Sequence, residues 1–222
     1  TPDSLRPGLR RLALDGMLAL VPGVAVANRN NPTQDPRITI RGFGARSAFG
    51  VRGVRVLRDG IPLTLPDGQT PVDYIDLESV ESIEVIRGTA TALYGNAGGG
   101  VVDLRSPAPP AVPFGAKMRY VGGTYGLHRW HAALGGTSEP WAYQANVTQT
   151  ETDGFRDYAN QRTTHVVART TPDGGGSLWP AQLIGFDMPV SENPGALTAA
   201  EAAARREAAD FRSEPKRPRK DA

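Results

Sequence analysis

Two kinds of hydrophobic pattern run along this chain, and they divide it. In the first hundred residues the apolar positions come in short, mixed runs. Leu14, Met17, Leu18 and Val21 fall at i, i+3, i+4 and i+7, which predicts a helix over residues 5–21, stopped by Pro22-Gly23. "VAVA" predicts a short strand, followed by a polar loop. In "RITIRGFG" Ile38 and Ile40 share one face and Arg37, Thr39 and Arg41 the other, again a strand. "VRVLRDGIPLTL" predicts a hairpin turning at Asp59-Gly60, with Pro62 confined to an edge strand. "DLESVESIEVIRG" predicts a helical turn and a strand from Ile83 to Ile86. Thr89 then caps a brief helix, "ATALY", which Gly95 ends. A glycine run and a strand from Val101 to Leu104 close a unit of about 100 residues, an ordinary single-domain size.

"RSPAPPAVP" marks a boundary, because its proline density keeps it extended and non-helical. Beyond it the pattern becomes strict alternation over segments of about ten residues: "AKMRYVGG", "LHRWHAALGG", "WAYQANVTQTE" and "QRTTHVVART". In "WAYQANVTQT" one face carries Trp141, Tyr143, Ala145 and Val147. The other carries Ala142, Gln144, Asn146, Thr148 and Thr150. Strands of a transmembrane β-barrel read this way, apolar toward lipid and polar toward the lumen. Half-buried strands of a soluble sandwich alternate too, so periodicity alone leaves both open.

Composition narrows the classes. The chain has 222 residues and a formal net charge of +2, so it is not a strong polyelectrolyte. It has no cysteine, which excludes a disulfide scaffold and thiolate chemistry. No run of 18 apolar residues predicts a membrane-spanning helix, and no signal peptide is visible at Thr1. Glycine (26) and proline (19) are plentiful, which suits a turn-rich β protein. The stretch "LYGNAGGGVVDLRS" suggests a phosphate loop, but a strand follows it where a helix N-terminus is needed. No nucleophile elbow and no H-E-x-x-H occurs, so nothing points to a hydrolase.

"LVPGVAV", "ITIRGFGAR", "RVLRDGIPLTLPDGQTP" and "SVESIEVIRGTATALYGNAGGGVVDLRS" occur in the order and spacing of the plug domain of TonB-dependent outer-membrane receptors, which residues 9–106 resemble. "TETDGFRDYANQR" and "GFDMPVSENPGALT" further resemble early barrel loops of ferric-siderophore receptors. The resemblance implies an α+β plug with a small mixed sheet, followed by antiparallel strands of a 22-stranded transmembrane β-barrel. It divides the chain into a plug (1–106), a linker (107–113), first barrel strands (114–187), and a loop with a basic, disordered tail (188–222). About five strands fit after the linker, so the barrel is expected to be incomplete and the chain a fragment, periplasmic if it does not insert. The implied function is uptake of a ferric siderophore or similar metal chelate across the Gram-negative outer membrane, driven by the TonB protein. No resident cofactor, no catalytic residue and no nucleic-acid partner is implied. A soluble, plug-only binding or signalling module is the alternative.

Charge is segregated along the plug region. Seven arginines and one acid lie between Arg29 and Arg58; six acids and no base lie between Asp67 and Glu84. Arginine binds carboxylate through a planar fork, and an arginine-rich face concentrates anions. The plainer reading pairs these arginines with the acids or with carboxylates of the barrel wall. By resemblance to the ferric citrate receptor, Arg41 and Gln69 match ligand-contacting positions. Arg46 and Arg52, on the loop between, are secondary candidates. His128 and His131 are three apart in a strand, so they face opposite sides and cannot share a metal; with His165 they are read as barrel-surface residues.

Overall fold

The computed structural model describes residues 14–18, 21–27, 35–47, 50–72, 74–88, 94–95, 97–172 and 180–210. Of the expected helix over residues 5–21, Leu14–Leu18 (α1) is described and helical. The expected helix at Thr89 and the basic end of the tail lie outside the described residues.

The first half packs around a mixed sheet. Its strands are β4 (Val54–Arg58), β5 (Ile61–Pro62), β7 (Ser82–Arg87) and β8 (Gly100–Arg105), in the order β5-β4-β8-β7. β4 and β8 run parallel, and the other pairs antiparallel. The two central strands are buried almost throughout, as strands covered on both faces must be. Asp59 (φ 51°) and Gly60 (φ 82°) make the tight turn between β4 and β5, and Pro62 sits on the edge strand. Two small ladders complete the unit: β1 (Val24–Ala27) with β2 (Arg37–Ile40), and β3 (Val51–Arg52) with β6 (Gln69–Thr70). Arg52 therefore belongs to a strand, not to the loop where its sequence neighbours placed it. Leu18, Ile38, Ile40, Val56, Val102 and Leu104 meet in one fully buried cluster.

The second half is a five-stranded antiparallel meander: β9 (Gly115–Gly122), β10 (His128–Ser138), β11 (Trp141–Thr152), β12 (Gln161–Pro172) and β13 (Ala181–Ser191). Its burial is inverted. Thr148, Asn146 and Arg129 are buried, while Trp130, Leu134, Val147 and Leu183 are exposed, Leu134 at 45%. Register places Arg119, His131, Thr148 and His165 in one row across four strands on the buried face. His131, beside Asp76 and Glu78, and His165, beside Phe186, are thus buried, correcting their assignment to the surface; alternation separates the two faces but does not say which one is covered. On the exposed face Tyr120 packs at a tilt against Trp130 near one end of β10, and Trp141 and Tyr143 lie toward the other. Eight residues separate Trp130 from Ser138, the partner of Trp141. At about 3.3 Å per residue that is about 26 Å along the strand, close to the ~25 Å apolar band of a barrel wall with aromatic girdles.

Charged side chains join the halves. A single 3₁₀ turn, Leu77–Ser79, carries Glu78 and is capped by Asp76. Asp76 accepts from Arg129 Nη2 (3.0 Å) and Thr148 Oγ1 (2.7 Å), and Arg119 Nη1 reaches Glu78 at 3.1 Å. The pairing runs opposite to the plainer reading of the sequence: acids of the first half meet arginines of the second. The linker is fastened as well, by Thr137 N to Val112 O and Tyr143 Oη to Pro113 O, each at 2.8 Å.

Of the segment expected to be disordered, residues 188–210 are described, and part of it is regular. β13 continues to Ser191, and Ala199–Ala204 (α2) is helical, with a capping box between Thr198 and Glu201. Arg156, in the β11–β12 loop, donates to the carbonyls of Pro194, Gly195 and Ala208 and holds this segment down.

Candidate functional site

The arginines of the basic stretch meet different fates. Arg58 is 1% exposed and donates to the carbonyl and hydroxyl of Ser79; burial pushes its pKa down. Arg37 donates to the carbonyls of Ala45 and Ser47, both at 3.3 Å, and so braces the turn that follows β2. Arg41, Arg46 and Arg52 are exposed.

That turn is built by the backbone. Ile40 and Phe43 exchange hydrogen bonds (3.1 and 2.9 Å) around Arg41 and Gly42, both at positive φ. Arg41, at φ 50°, is the uncommon residue here, since a side chain in the left-handed region costs roughly 1–2 kcal/mol. Gly44 follows at φ 86°; a Cβ there would lie 2.5 Å from Ile38 O, so the chain turns back without one. The β3–β6 ladder then sets Arg52 opposite Gln69. With the Gln69 amide turned so that its oxygen faces the guanidinium, it accepts from Arg52 Nη2 and from Nε at 3.2 Å. Asp67 Oδ1 accepts from Gln69 N at 2.9 Å, fixing the approach to the strand.

These elements enclose an open cavity of about 880 Å³, lined by Arg41, Phe43, Arg46, Ser47, Arg52, Gln69 and three glycines. All four residues singled out in the sequence line it. Phe43 and Ser47 do too, and were missed; an aromatic between two glycines in a basic turn was the available signal. Among the described residues, no carboxylate forms an ion pair with Arg41, Arg46 or Arg52. Nor does any group of three His, Cys, Asp or Glu side chains stand where it could hold a metal ion. The chemistry on offer is anion binding by guanidinium forks beside a neutral amide.

At the far end of β4 the Asp59 turn is tied to the wall. Asp59 accepts from Ser106 N (2.8 Å) and Oγ (2.6 Å) and from Gln182 Nε2 (3.2 Å), with Arg169 Nη1 at 3.7 Å. Burial alone would raise its pKa, but the Ser106 hydrogen bonds, with Arg169 and Arg58, outweigh it and hold the carboxyl below its usual value.

A plug unit with an arginine-lined cavity, joined by buried charges to strands that expose their apolar face, has known counterparts. Residues 10–101 match the family model for the TonB-dependent receptor plug domain. Over these residues the chain is similar to a TonB-dependent receptor plug. The ferric enterobactin receptor of Pseudomonas aeruginosa is 28% identical, in a match covering 72% of this chain and 21% of that protein. The unliganded ferric citrate transporter FecA superposes with a TM-score of 0.68 at 23% identity, over 89% of this chain and 32% of FecA. The siderophore receptor PirA of Acinetobacter baumannii gives 0.61 at 18% identity, over 95% of this chain and 34% of PirA. The chain thus spans between about a fifth and a third of these relatives. By name they are two receptors and one transporter, and the strands that follow the plug resemble those of such receptors.

Proposed function

We propose that the plug and its five strands act in an outer-membrane receptor for a ferric siderophore or similar anionic metal chelate. In this reading the strands belong to a 22-stranded barrel wall, of which this chain carries part. The TonB protein supplies the energy that moves the plug. Arg41, Arg46, Arg52 and Gln69 contact the ligand, and the metal arrives inside its chelator as cargo.

One observation carries the reading: three exposed guanidiniums, with no carboxylate partner among the described residues, line one cavity with Gln69. Arginines this close repel one another, an arrangement that an incoming anion relieves. The test is titration of the chain in detergent micelles with an anionic ferric chelate at two ionic strengths. Arg41→Ala should weaken binding by about 1.5–3 kcal/mol, the range for a hydrogen bond to a charged group. That is roughly ten- to a hundredfold in Kd. Arg41→Lys should recover only part, since a point charge lacks the fork. Raising salt should weaken wild type more than Arg41→Ala. Unchanged affinity in Arg41→Ala would leave these arginines as plain surface charge.

A further inference from the structure

The cavity has one aromatic lining side chain, and no charge argument uses it. Phe43 is 48% exposed, although it sits in a turn braced on both sides by the plug. Its inner edge rests on the glycine run that precedes β8. A Cβ at Gly98 would lie 3.0 Å from Phe43 Cε1 and 3.4 Å from Cδ1; one at Gly99 would lie 2.6 Å from Phe43 Cβ. Gly99 is locked by its N–H to Gly53 O at 2.9 Å, so the seat does not slide. One edge of the ring therefore packs on bare backbone. The remainder is open to the cavity, beside Arg41 and Arg46.

We infer that Phe43 is a specificity-determining residue of the cavity, an aromatic floor seated on Gly98-Gly99 that favours anionic chelates with aromatic donor groups over purely aliphatic ones. This rests on the anion-binding reading of the cavity. Guanidiniums supply attraction for any anion of suitable size, so they discriminate little between a carboxylate chelate and a catecholate one. A rigidly placed ring discriminates through offset or edge-to-face contact with another ring, a gain beyond simple burial. The glycines are needed because any side chain beneath the ring pushes it into the cavity.

The experiment is equilibrium dialysis of the full chain in detergent micelles against two chelates carrying radioactive iron. The probes are ferric enterobactin, whose donors are catechol rings, and ferric citrate, which is aliphatic. Phe43→Ala should weaken ferric enterobactin about five- to tenfold, in line with the worth of an aromatic pair, and ferric citrate less than twofold. Phe43→Leu, which keeps an apolar side chain on the glycines, should show the same selective loss and stands in if the alanine variant misfolds. Gly98→Ala should weaken ferric enterobactin when Phe43 is present and have no further effect in a Phe43→Ala background, because its Cβ acts through the ring. Equal losses for both probes, or no loss for either while Arg41→Ala still weakens both, would overturn the aromatic floor and leave the cavity intact. If Arg41→Ala changes neither probe, or wild type binds neither, the anion-binding reading falls and this inference falls with it.

Discussion

The plug sheet and the five-stranded meander use the same alternation with opposite outcomes. In β8, Leu104 is 0% exposed and packs in a cluster of aliphatic side chains. In β10, Leu134 is 45% exposed, while on the sheet's other face Thr148, at 0%, donates to Asp76 of the plug and is hydrogen-bonded to His131 of β10. Burial is thus not a property of residue type but of what lies on each side. The plug has water or wall around it and hides its apolar positions. The meander has the plug on one side and presents its apolar positions on the other, a face suited to lipid in the proposed reading.

The sharpest way to break the contrast is at the seam. Asp76 is 1% exposed and ties the 3₁₀ turn to Arg129 and Thr148, with Arg129 at 6% side-chain exposure. Asp76→Ala should cost about 3 kcal/mol, because it takes one carboxylate partner from a buried guanidinium and leaves Glu78 at 4.0 Å. Hydrogen exchange over residues 74–82 should accelerate accordingly; unchanged protection there would mean the seam is not what holds the turn. Next come matched truncations. Leu104→Ala should lower the plug's unfolding free energy by about 3 kcal/mol, within the usual range for a buried leucine. Leu134→Ala should change it by less than about 0.5 kcal/mol, as at an exposed site. Denaturant titration in micelles compares the two, and equal effects would contradict the inverted burial.

The smallest effect concerns pH. The folded-state pKa of Asp59 is depressed, so its contribution to stability is present above its unfolded pKa and is lost as pH falls through the folded value. Asp103, whose pKa is raised by burial, runs the other way: protonation relieves it, and its contribution grows as pH falls. Asp59→Asn should therefore flatten the acid-side loss of stability, and Asp103→Asn should steepen it, read from melting temperatures across the acidic range. Identical acid profiles for both variants and wild type would show that neither carboxylate is coupled to folding.

How much of this was legible in the sequence follows from the range of each interaction. The split of Trp141, Tyr143 and Val147 from Gln144, Asn146 and Thr148 is local, and could be read directly from the period of two. The Asp59-Gly60 turn is likewise written in two adjacent residues. The proximity of Arg41 and Gln69 is not local: it depends on the two-residue β3–β6 ladder, and only family resemblance placed both at one site. The buried histidines were misjudged because parity separates faces without naming the covered one. The run from Ala200 starts as a helix former in the sequence, but the basic end that follows drew the whole segment into the reading of a disordered tail, and the capping box of Thr198 with Glu201 was overlooked. Phe43 escaped because its partner, the glycine run, lies more than fifty residues away, and glycines reveal a seat only when the side chain above them is seen.

The contrast itself can be measured at Trp130, which lies on the exposed apolar face of β10 at 48% exposure. In a Trp141→Phe/Trp179→Phe background, the chain is reconstituted into lipid vesicles and Trp130 fluorescence is quenched either by brominated acyl chains or by aqueous iodide. If the meander presents its apolar face to lipid and its polar face to the plug, brominated lipid quenches strongly and iodide weakly. Strong quenching by iodide with none by brominated lipid would place that face in water and contradict the assignment of these strands to an outer-membrane wall.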